Sequence, residues 1–346
     1  MKKIRLATVG AGYFSQFHYK AWQRIPEVNL ISICNRDIEA AEKFAQKYSV
    51  KHVYDDFEEM LDKQSPDLVD IITPPETHLH YIKAAIKKKV AIICQKPFCM
   101  SIEEAELVSE MAKEANVLLV IHENFRFQPW YKAIKEQLLI NRLGDLYQSQ
   151  FCLRTGDGKG PDAYLERQPY FQKMDKFLVH ETGIHWIDTF RYLFGEIQSV
   201  YAQLRQLNPS IAGEDSGLII FVFDSGLQVV FDGNRLVDHV AENRRLTMGE
   251  LIIEGSEAVV KLNGDGVILF REFNSNVWQE HHYEWANKDF GGDCVYRFQE
   301  HVIRHLLGLG DVYNSSEEYL KNLYIEKAVY LSAKTGRSIL IDELQT

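Results

Sequence analysis

A buried strand that runs directly into a glycine loop opens the chain. Residues 4–9 read Ile-Arg-Leu-Ala-Thr-Val, and residues 10–15 read Gly-Ala-Gly-Tyr-Phe-Ser. Glycines at such a turn let the backbone approach a pyrophosphate, and the following helix offers unpaired N–H groups and a positive dipole end. The pattern predicts a dinucleotide site, although an ordinary strand-to-helix turn is the alternative. Four residues of the loop are expected to contact the cofactor: Gly10, Gly12, Tyr13 and Phe14.

The first third of the chain alternates apolar strands with amphipathic helices. The predicted strands are 4–9, 30–34, a short one near 53–54, 68–72, 90–94 and 117–121. The predicted helices are 13–25, 38–48, 77–88 and 101–114, the last with a capping box of Ser101 and Glu104. This alternation predicts a doubly wound parallel sheet in the Rossmann order 3-2-1-4-5-6, with a ligand crevice at the carboxyl ends of strands one and four.

After about residue 122 the pattern changes to strands separated by Gly, Asn and Asp turns. Helices are predicted at 129–141 and around 178–193, and strands at 199–207, 216–223, 226–232, 250–254, 258–262 and 267–271. We therefore predict a Rossmann domain at 1–122 and an α+β domain at 123–346 with a large open, mostly antiparallel sheet. A last helix is predicted at about 315–335, with Ser315 and Glu318 as a second capping box.

Charge and cysteine content narrow the class of protein. The 346 residues carry a formal net charge of -10, which argues against nucleic acid as a partner. No apolar run approaches the ~20 residues of a membrane span, so no membrane partner is expected. The five cysteines are odd in number and scattered, which is typical of thiols in a reducing compartment. A cytoplasmic location follows as an expectation.

The residues after the second strand, Asn35-Arg36-Asp37, are expected at the adenine ribose. A carboxylate about 20 residues past the glycines would bind the 2′-hydroxyl of NAD, but Asn35 stands in that place. Arg36 can hold a 2′-phosphate, which favours NADP or the use of both dinucleotides. Two alternatives stay open: Asp37 can supply the carboxylate after a small shift, or Arg36 is an ordinary surface residue.

Two further strand ends border the same crevice. Strand four ends at Thr73-Pro74-Pro75-Glu76-Thr77-His78, an extended loop expected to line the nicotinamide side or simply to link strand and helix. Strand five ends at Gln95-Lys96-Pro97. Lys96 at this edge can donate to a substrate hydroxyl and stabilise an alkoxide, although a loop lysine is often only solvated. The expected cofactor contacts are Thr73, Pro74, His78, Gln95, Lys96 and Pro97.

A histidine with carboxylates on the same helix face supplies the clearest acid–base candidate. Glu181, His185 and Asp188 are spaced i, i+4 and i+7. A histidine between carboxylates has a fixed orientation and can take a proton near neutral pH, although a buried structural histidine is the alternative. A zinc site is not expected, because His180-Glu181-x-x-x-His185 is one residue longer than a His-Glu-x-x-His site.

Four motifs in a fixed order carry a family resemblance. They are Gly10-x-Gly12 with His18 downstream, Thr73-Pro74-Pro75-x-Thr77-His78, Gln95-Lys96-Pro97, and Gly183-x-His185-x-x-Asp188 followed by Arg191-Tyr192-Leu193-Phe194-Gly195. By these motifs the chain resembles, over its whole length, the glucose-fructose oxidoreductase / inositol dehydrogenase / MocA-like (Gfo/Idh/MocA) family of NAD(P)-dependent oxidoreductases. The usual Glu-Lys-Pro is Gln95-Lys96-Pro97 here, and the family's Asp before the histidine is Glu181.

The resemblance implies a reaction and the residues that perform it. Lys96 and His185 would lie at the nicotinamide of NAD or NADP. His185 would take the proton of a substrate hydroxyl, with Glu181 and Asp188 orienting it, while Lys96 stabilises the alkoxide and a hydride passes to C4 of the nicotinamide. The catalytic residues implied in this way are Lys96, His185 and Glu181.

A set of aromatic and amide side chains indicates the substrate class. Aromatic rings that pack on C–H faces and amides that bind hydroxyls suit a sugar, a polyol or a sugar lactone, and a branched or five-carbon aldose is within that class. Core packing at the domain junction is the alternative for the aromatic residues. The expected substrate contacts are Lys96, Asn124, Arg126, Tyr164, Gln168, Asp188 and His185.

Two other functions and one assembly remain open on the sequence. The chain could be a redox-assisted glycoside hydrolase with a tightly held NAD, or a non-catalytic dinucleotide sensor, although a sensor needs neither Lys96 nor His185. The open sheet also predicts a homo-oligomer, and the family resemblance implies a homodimer or homotetramer. Phe221, Phe223, Val229 and Phe231 are the apolar positions that suggest it, with a helix-covered face as the alternative.

Overall fold

The chain divides into two compact units in a computed structural model that describes residues 3–344. One unit comprises residues 3–124 and 294–321, and the other comprises 125–293 and 322–344. The first boundary lies close to the expected one at 122/123, but residues 294–321 group with the N-terminal unit and not with the C-terminal one. The physical reason is backbone pairing, because Ile121 N donates to Asn314 O at 2.8 Å and Val120 forms an antiparallel bridge with Ser315.

Six parallel strands form the sheet of the first unit within residues 3–124. They are β1 (Ile4–Val9), β2 (Val28–Cys34), β3 (His52–Tyr54), β4 (Leu68–Ile71), β5 (Ala91–Gln95) and β6 (Leu119–His122). Their order is β3-β2-β1-β4-β5-β6, which confirms the predicted Rossmann topology. The strand order reverses between β1 and β4, so the carboxyl ends of these strands flank the crevice where ligands bind in such sheets.

Five α-helices of residues 3–124 lie along the chain between these strands and after β5. They are α1 (Ser15–Trp22), α2 (Ile38–Tyr48), α3 (Phe57–Gln64), α4 (His78–Lys87) and α5 (Ile102–Glu114). Of these, α2, α3 and α5 begin with side-chain caps visible in the sequence. Asp37 caps α2 by accepting from Ala40 N at 3.1 Å, and Ser101 caps α5 by accepting from Glu104 N at 3.3 Å. The predictions missed α3, a short and mostly charged segment whose cap, Asp56, is its main signal.

The second unit combines two helices with a large sheet. Its helices are α6 (Pro129–Leu139) and α7 (Ile184–Phe194), and its strands to residue 293 are β7 (Leu146–Leu153), β8 (Ile197–Arg205), β9 (Ser216–Phe223), β10 (Gln228–Asn234), β11 (Gly249–Gly255), β12 (Ala258–Leu262), β13 (Ile268–Glu272) and β14 (Gln279–His281). The chain continues through α8 (Cys294–Leu306) in the first unit, α9 (Ser316–Thr335) and β15 (Ile339–Leu340). The predictions missed β7, β14, β15 and α8.

The sheet of the second unit is mostly antiparallel, as predicted. In the described part of the chain it has nine strands in the order β14-β13-β12-β11-β7-β10-β9-β8-β15, and β7 pairs with β10 in parallel. One face is covered within the unit by α7, since Phe190 lies 5.9 Å from Phe221 and Phe194 lies 5.7 Å from Phe223. The helix-covered alternative was therefore the right one for the apolar strand positions.

The two faces of this sheet differ in exposure. On the covered face, Phe221, Phe223, Val229 and Phe231 are at most 1% exposed, so they are core residues and not a surface for assembly. The alternate positions on β9 point to the opposite, more exposed face, where Leu218 is 44% exposed.

None of the helices within residues 3–344 is both long and apolar enough to cross a membrane.

Candidate active site

The glycine loop between β1 and α1 has the geometry of a phosphate cradle. Gly10 has φ +118, and a Cβ there would lie 2.8 Å from the carbonyl oxygen of Ile72, so only glycine fits. A Cβ on Gly12 would meet no heavy atom within 4 Å, which leaves that side of the loop open. Ser15 closes the turn, because Gly12 N donates to Ser15 Oγ at 3.1 Å.

The start of α1 is also suited to an anion. Its cap residue, Phe14, provides no side-chain hydrogen bond, and its first turn contains no acidic residue. Tyr13 is 45% exposed beside this turn. N–H groups and the positive end of the helix dipole therefore face the open side of the glycine loop. These residues fit the pyrophosphate of a dinucleotide.

The end of β2 presents an amide, Asn35, where a ribose carboxylate is usual, and a cation, Arg36, follows it. Asn35 Nδ2 donates to the backbone oxygen of Asp37 at 2.8 Å. The Asp37 carboxylate is engaged at the start of α2, where it accepts from Ala40 N. Arg36 is exposed between them. The capping role of Asp37 argues against its replacing the missing carboxylate by a small shift, because the shift would break the cap.

A buried histidine is hydrogen-bonded to the loop after β4. His78 is fully buried, and its Nε2 donates to the carbonyl oxygen of Thr73 at 2.7 Å. Burial lowers the pKa of His78 to about 4, so the ring is neutral near pH 7. Thr77 Oγ1 lies 2.7 Å from Thr73 Oγ1 and 2.8 Å from the carbonyl oxygen of Pro74. His78 thus braces the loop, while Thr73 and Pro74 form it.

The end of β5 places Lys96 next to a buried polar network. Gln95 Oε1 accepts from Lys96 N at 2.7 Å, and Gln95 Nε2 lies 3.1 Å from His18 Nε2. His18 Nδ1 lies 2.8 Å from the carboxylate of Asp70. Lys96 precedes Pro97 through a cis peptide bond. Of the expected contacts, Gln95 is the last residue of β5, and Lys96 and Pro97 follow it at the sheet edge that carries the glycine loop.

In the second unit, His185 follows a π-helical segment at Leu178–Gly183 and stands near the start of α7. Its imidazole is 7% exposed and lies flat on the ring of Phe125, with centroids 3.8 Å apart and planes 4° from parallel. Glu181 lies within the π segment, which the α-helical pattern did not predict. Such segments are rare and occur often at functional sites. The stacking fixes the plane of a buried imidazole.

Asp188 is engaged in a buried ion pair on the same helix. Its carboxylate accepts two hydrogen bonds from Arg126, each at 2.6 Å, and one from Asn322 Nδ2 at 2.9 Å. Arg126 and Asp188 were both expected to contact substrate. The structure shows them bound to each other, with Asp188 fully buried, so the charge of the Asp188 carboxylate is already balanced.

A second polar cluster in this unit surrounds Tyr164. The Tyr164 hydroxyl donates to Asp157 Oδ1 at 3.1 Å and accepts from Arg235 Nε at 2.7 Å. Burial raises the pKa of Tyr164, so it stays a phenol. Arg235 also donates to the Thr182 hydroxyl and lies 3.9 Å from Glu181. This cluster connects the loop of Tyr164 with the π segment.

Two of these residues were not expected from the sequence. Arg235 follows β10, and Asp157 lies in the loop after β7, so neither belongs to a short motif. The remaining expected substrate residues have different surroundings. Gln168 Nε2 donates to the hydroxyl of Tyr170 at 3.1 Å. Asn124 is buried at the end of the first unit's N-terminal segment, and its Oδ1 makes no hydrogen bond within residues 3–344.

Comparison with known proteins agrees with these features. A parallel sheet in this strand order, with a glycine loop at its carboxyl edge, is the architecture of dinucleotide-binding domains. The chain belongs to the Gfo/Idh/MocA oxidoreductase family: its NAD-binding Rossmann-fold model matches residues 4–123, and its C-terminal-domain model matches residues 131–260. The first unit is accordingly an NAD(P)-binding domain.

Three relatives cover almost the whole chain. A D-apiose dehydrogenase of Paraburkholderia graminis is 29% identical, over 100% of this chain and 92% of the relative. A D-apiose dehydrogenase of Rhizobium rhizogenes is 25% identical, over 98% of each protein. A crystal structure of an oxidoreductase from Agrobacterium radiobacter, in complex with NAD+, L-tartaric acid and magnesium, has a TM-score of 0.89 at 24% identity and covers 99% of both chains. This last likeness shows the fold.

Proposed function

We propose that the protein oxidises a hydroxyl group of a sugar, polyol or related carbohydrate, with NAD(P)+ as the hydride acceptor. The observation that carries the proposal is the buried imidazole of His185, held in one plane by Phe125 in a member of an oxidoreductase family. Lys96, at the carboxyl end of a Rossmann strand, supplies the cation that such a reaction needs.

In the proposed reaction His185 is the general base. Its ring takes the proton of the substrate hydroxyl, because neutral imidazole is a good acceptor near pH 7. Glu181 is assigned to balance the charge that His185 then carries. Asp188 is not assigned this role, because Arg126 already occupies its carboxylate in two hydrogen bonds. Asp188 and Arg126 instead support the first turns of α7.

Lys96 is assigned to the substrate oxygen. Loss of the hydroxyl proton leaves an alkoxide, and an ammonium group that donates to that oxygen stabilises the developing charge. The carbon that bears the oxygen then loses its hydrogen with both electrons and becomes a carbonyl. A bound nicotinamide supplies the acceptor for that hydride. The protein contributes the proton acceptor, the cation and the orientation of the substrate.

A neutral pentose is the first substrate to test. Two relatives that match nearly the full chain are named D-apiose dehydrogenases, and D-apiose is a branched five-carbon aldose. We assign Asn124 Oδ1 to a sugar hydroxyl, because this buried acceptor has no hydrogen bond within residues 3–344. The hydroxyl of Tyr164 is engaged by Asp157 and Arg235, so Tyr164 contributes shape and fixes the loop that carries Gln168.

The test is a titration of the purified protein with NAD+ and NADP+, followed by a screen of aldoses, polyols and sugar acids for reduced nicotinamide. D-Apiose is included from the start. Formation of NADH or NADPH with one carbohydrate, and its loss in His185→Asn, supports the proposal. Dinucleotide binding without reduction on any carbohydrate contradicts it.

The same assay separates the two other functions. A redox-assisted glycoside hydrolase releases free sugar from a glycoside while the amount of reduced nicotinamide shows no net change. A sensor binds the dinucleotide and turns over nothing. The presence of both Lys96 and His185 argues against a sensor, which needs neither, and the release of free sugar distinguishes the hydrolase.

We also propose that the exposed face of the second unit's sheet mediates a homodimer or a homotetramer. Leu218 is 44% exposed on β9, and Ile220, Val230 and Ile252 are half-buried on the same face of β9, β10 and β11. Register pairs Val230 with Ile220, and Gln150 of β7 lies between Val230 and Ile252, so the face is apolar with one amide across these strands. Leu218→Lys should reduce the measured mass in sedimentation equilibrium to that of one chain; an unchanged mass contradicts this interface.

A further inference from the structure

Four groups of the first unit form a chain of hydrogen bonds behind Lys96. Lys96 N donates to Gln95 Oε1 at 2.7 Å, Gln95 Nε2 lies 3.1 Å from His18 Nε2, and His18 Nδ1 lies 2.8 Å from Asp70 Oδ2. Gln95 is 9% exposed, and His18 and Asp70 are fully buried. Because these groups are buried, the positions of the hydrogen-bonding protons follow from the partners that each group has within the protein.

Counting donors fixes the protonation of His18. A backbone N–H can only donate, so the Gln95 atom that faces Lys96 N is the amide oxygen. The amide nitrogen then faces His18, and because it only donates, His18 Nε2 must be the acceptor. The single ring proton of His18 consequently sits on Nδ1 and is donated to Asp70. His18 is the neutral Nδ1–H tautomer.

The groups around His18 offer no site for a second proton. On the α1 side, Trp22 Nε1 donates to the same Asp70 oxygen at 2.7 Å. On β6, the ring of His122 stacks on His18 at 4.0 Å, and Gln299 of α8 reaches the backbone oxygen of His18 at 3.4 Å. Burial raises the pKa of the neighbouring Cys94 thiol. Asp70 Oδ2 is thus the acceptor at the end of the network, where it faces both His18 Nδ1 and Trp22 Nε1.

We propose that Gln95 is a positioning residue for Lys96. Its amide oxygen accepts from the backbone N–H of Lys96, and its amide nitrogen requires His18 Nε2 to be an acceptor. The role rests on the proposed function of Lys96 at the substrate oxygen. Gln95 is a neutral amide, so the group that joins Lys96 N to His18 Nε2 has no acid–base equilibrium of its own.

Gln95→Glu replaces the amide by a carboxylate of nearly the same shape, and so removes the donor that faces His18. One glutamate oxygen still accepts from Lys96 N, but the other faces His18 Nε2, and two acceptors then face each other. The repulsion is relieved when His18 takes a second proton and lies as an imidazolium between two carboxylates. The hold on Lys96 then requires a protonated His18 and weakens as the pH rises and His18 loses that proton.

The first measurement is nitrogen NMR of the full-length, cofactor-free protein with labelled histidine, with His18 assigned from its missing signals in His18→Asn. We expect a wild-type His18 with a protonated Nδ1 and a bare Nε2 that does not change between about pH 5.5 and pH 8.5. In Gln95→Glu we expect both nitrogens to be protonated. A titrating ring or an Nε2–H tautomer in the wild type overturns the proposal, even when Gln95→Glu fails to fold.

The second measurement is the pH dependence of turnover on the substrate found in the carbohydrate screen. The ratio of kcat/KM for Gln95→Glu to that of the wild type should fall about tenfold between about pH 6 and pH 9. Gln46→Glu, the same change on the exposed side of α2, is the matched control and should show a constant ratio.

The two measurements distinguish an error in the positioning role of Gln95 from an error in the proposed function. Equal pH profiles for Gln95→Glu and the wild type overturn the positioning role while the proposed oxidation stands. Absence of any turnover contradicts the proposed function, and the NMR result still decides the tautomer that Gln95 imposes on His18.

Discussion

The imidazole of His185 lies on the face of Phe125, with ring centroids 3.8 Å apart and an angle of 4° between their planes. Phe125 begins the second unit and is itself held edge-on by Trp186 at 5.2 Å. A histidine in such contact cannot tilt without moving an aromatic core, so its nitrogen atoms keep one direction. This is a property that a general base needs before the substrate arrives.

Removing the base should affect turnover more than binding. His185→Asn keeps a polar side chain but removes the proton acceptor, and we expect kcat to fall by about 10²- to 10⁴-fold with a small change in KM. Phe125→Leu should lower kcat by about tenfold to 100-fold, because the ring is present but less well oriented. Steady-state kinetics on the identified carbohydrate checks both. His282→Asn, at an exposed histidine, is the control, and near-normal turnover of His185→Asn contradicts the assignment.

The elements that hold these residues differ in how well the sequence predicts them. The ends of β1, β2, β4 and β5 could be located because apolar strands alternate with capped helices, and a parallel sheet brings its carboxyl ends to one edge. The segment before His185 could not, because a π turn inserts one residue without changing residue types. The Asp157–Arg235 contact joins residues far apart in the chain, and its tertiary geometry leaves no local pattern.

A residue type with two uses is harder to interpret from the sequence. Asp188 has the spacing of a partner for His185, and its carboxylate also accepts from Arg126 and Asn322, which the spacing does not indicate. Apolar residues on β9 and β10 suggested an assembly surface, yet α7 covers them. Alternation along a strand identifies which residues share a face, but the packing of other elements decides which face is buried.

Lys96 should be essential for the chemical step in the proposed reaction. Lys96→Met keeps the length of the side chain and removes the ammonium group, and we expect kcat to fall by about 10²- to 10³-fold, as for the loss of one donor to an oxyanion. Dinucleotide affinity, measured by fluorescence titration, should change much less than kcat. Lys87→Met, an exposed lysine of α4, is the matched control. Equal kcat values for the two variants contradict a role at the substrate oxygen.

The end of β2 should set the preference between NAD+ and NADP+. Arg36→Ala should weaken NADP+ binding by about tenfold to 100-fold and leave NAD+ binding unchanged, because only NADP+ carries the 2′-phosphate. Asn35→Asp should shift the preference towards NAD+, since the carboxylate accepts from the 2′-hydroxyl and repels the phosphate. Calorimetric titration of both dinucleotides gives the ratio, with Lys43→Ala as the control on α2. An NADP+ affinity unaffected by Arg36→Ala rules out the phosphate contact.

His78 should make stability depend on pH. Its pKa is lowered from 6.5 to about 4 by burial, so below pH 6.5 the unfolded chain binds a proton that the folded chain does not. The stability contributed by a neutral His78 is complete above pH 6.5 and is lost as the pH falls towards 4, by an amount on the order of 3 kcal/mol. Urea unfolding from about pH 4.5 to pH 8 measures the slope. His78→Gln can still donate to Thr73 and should show a shallower slope over this interval. The exposed His282→Gln should keep the wild-type slope, and a wild-type slope in His78→Gln would mean that other groups account for the acid sensitivity.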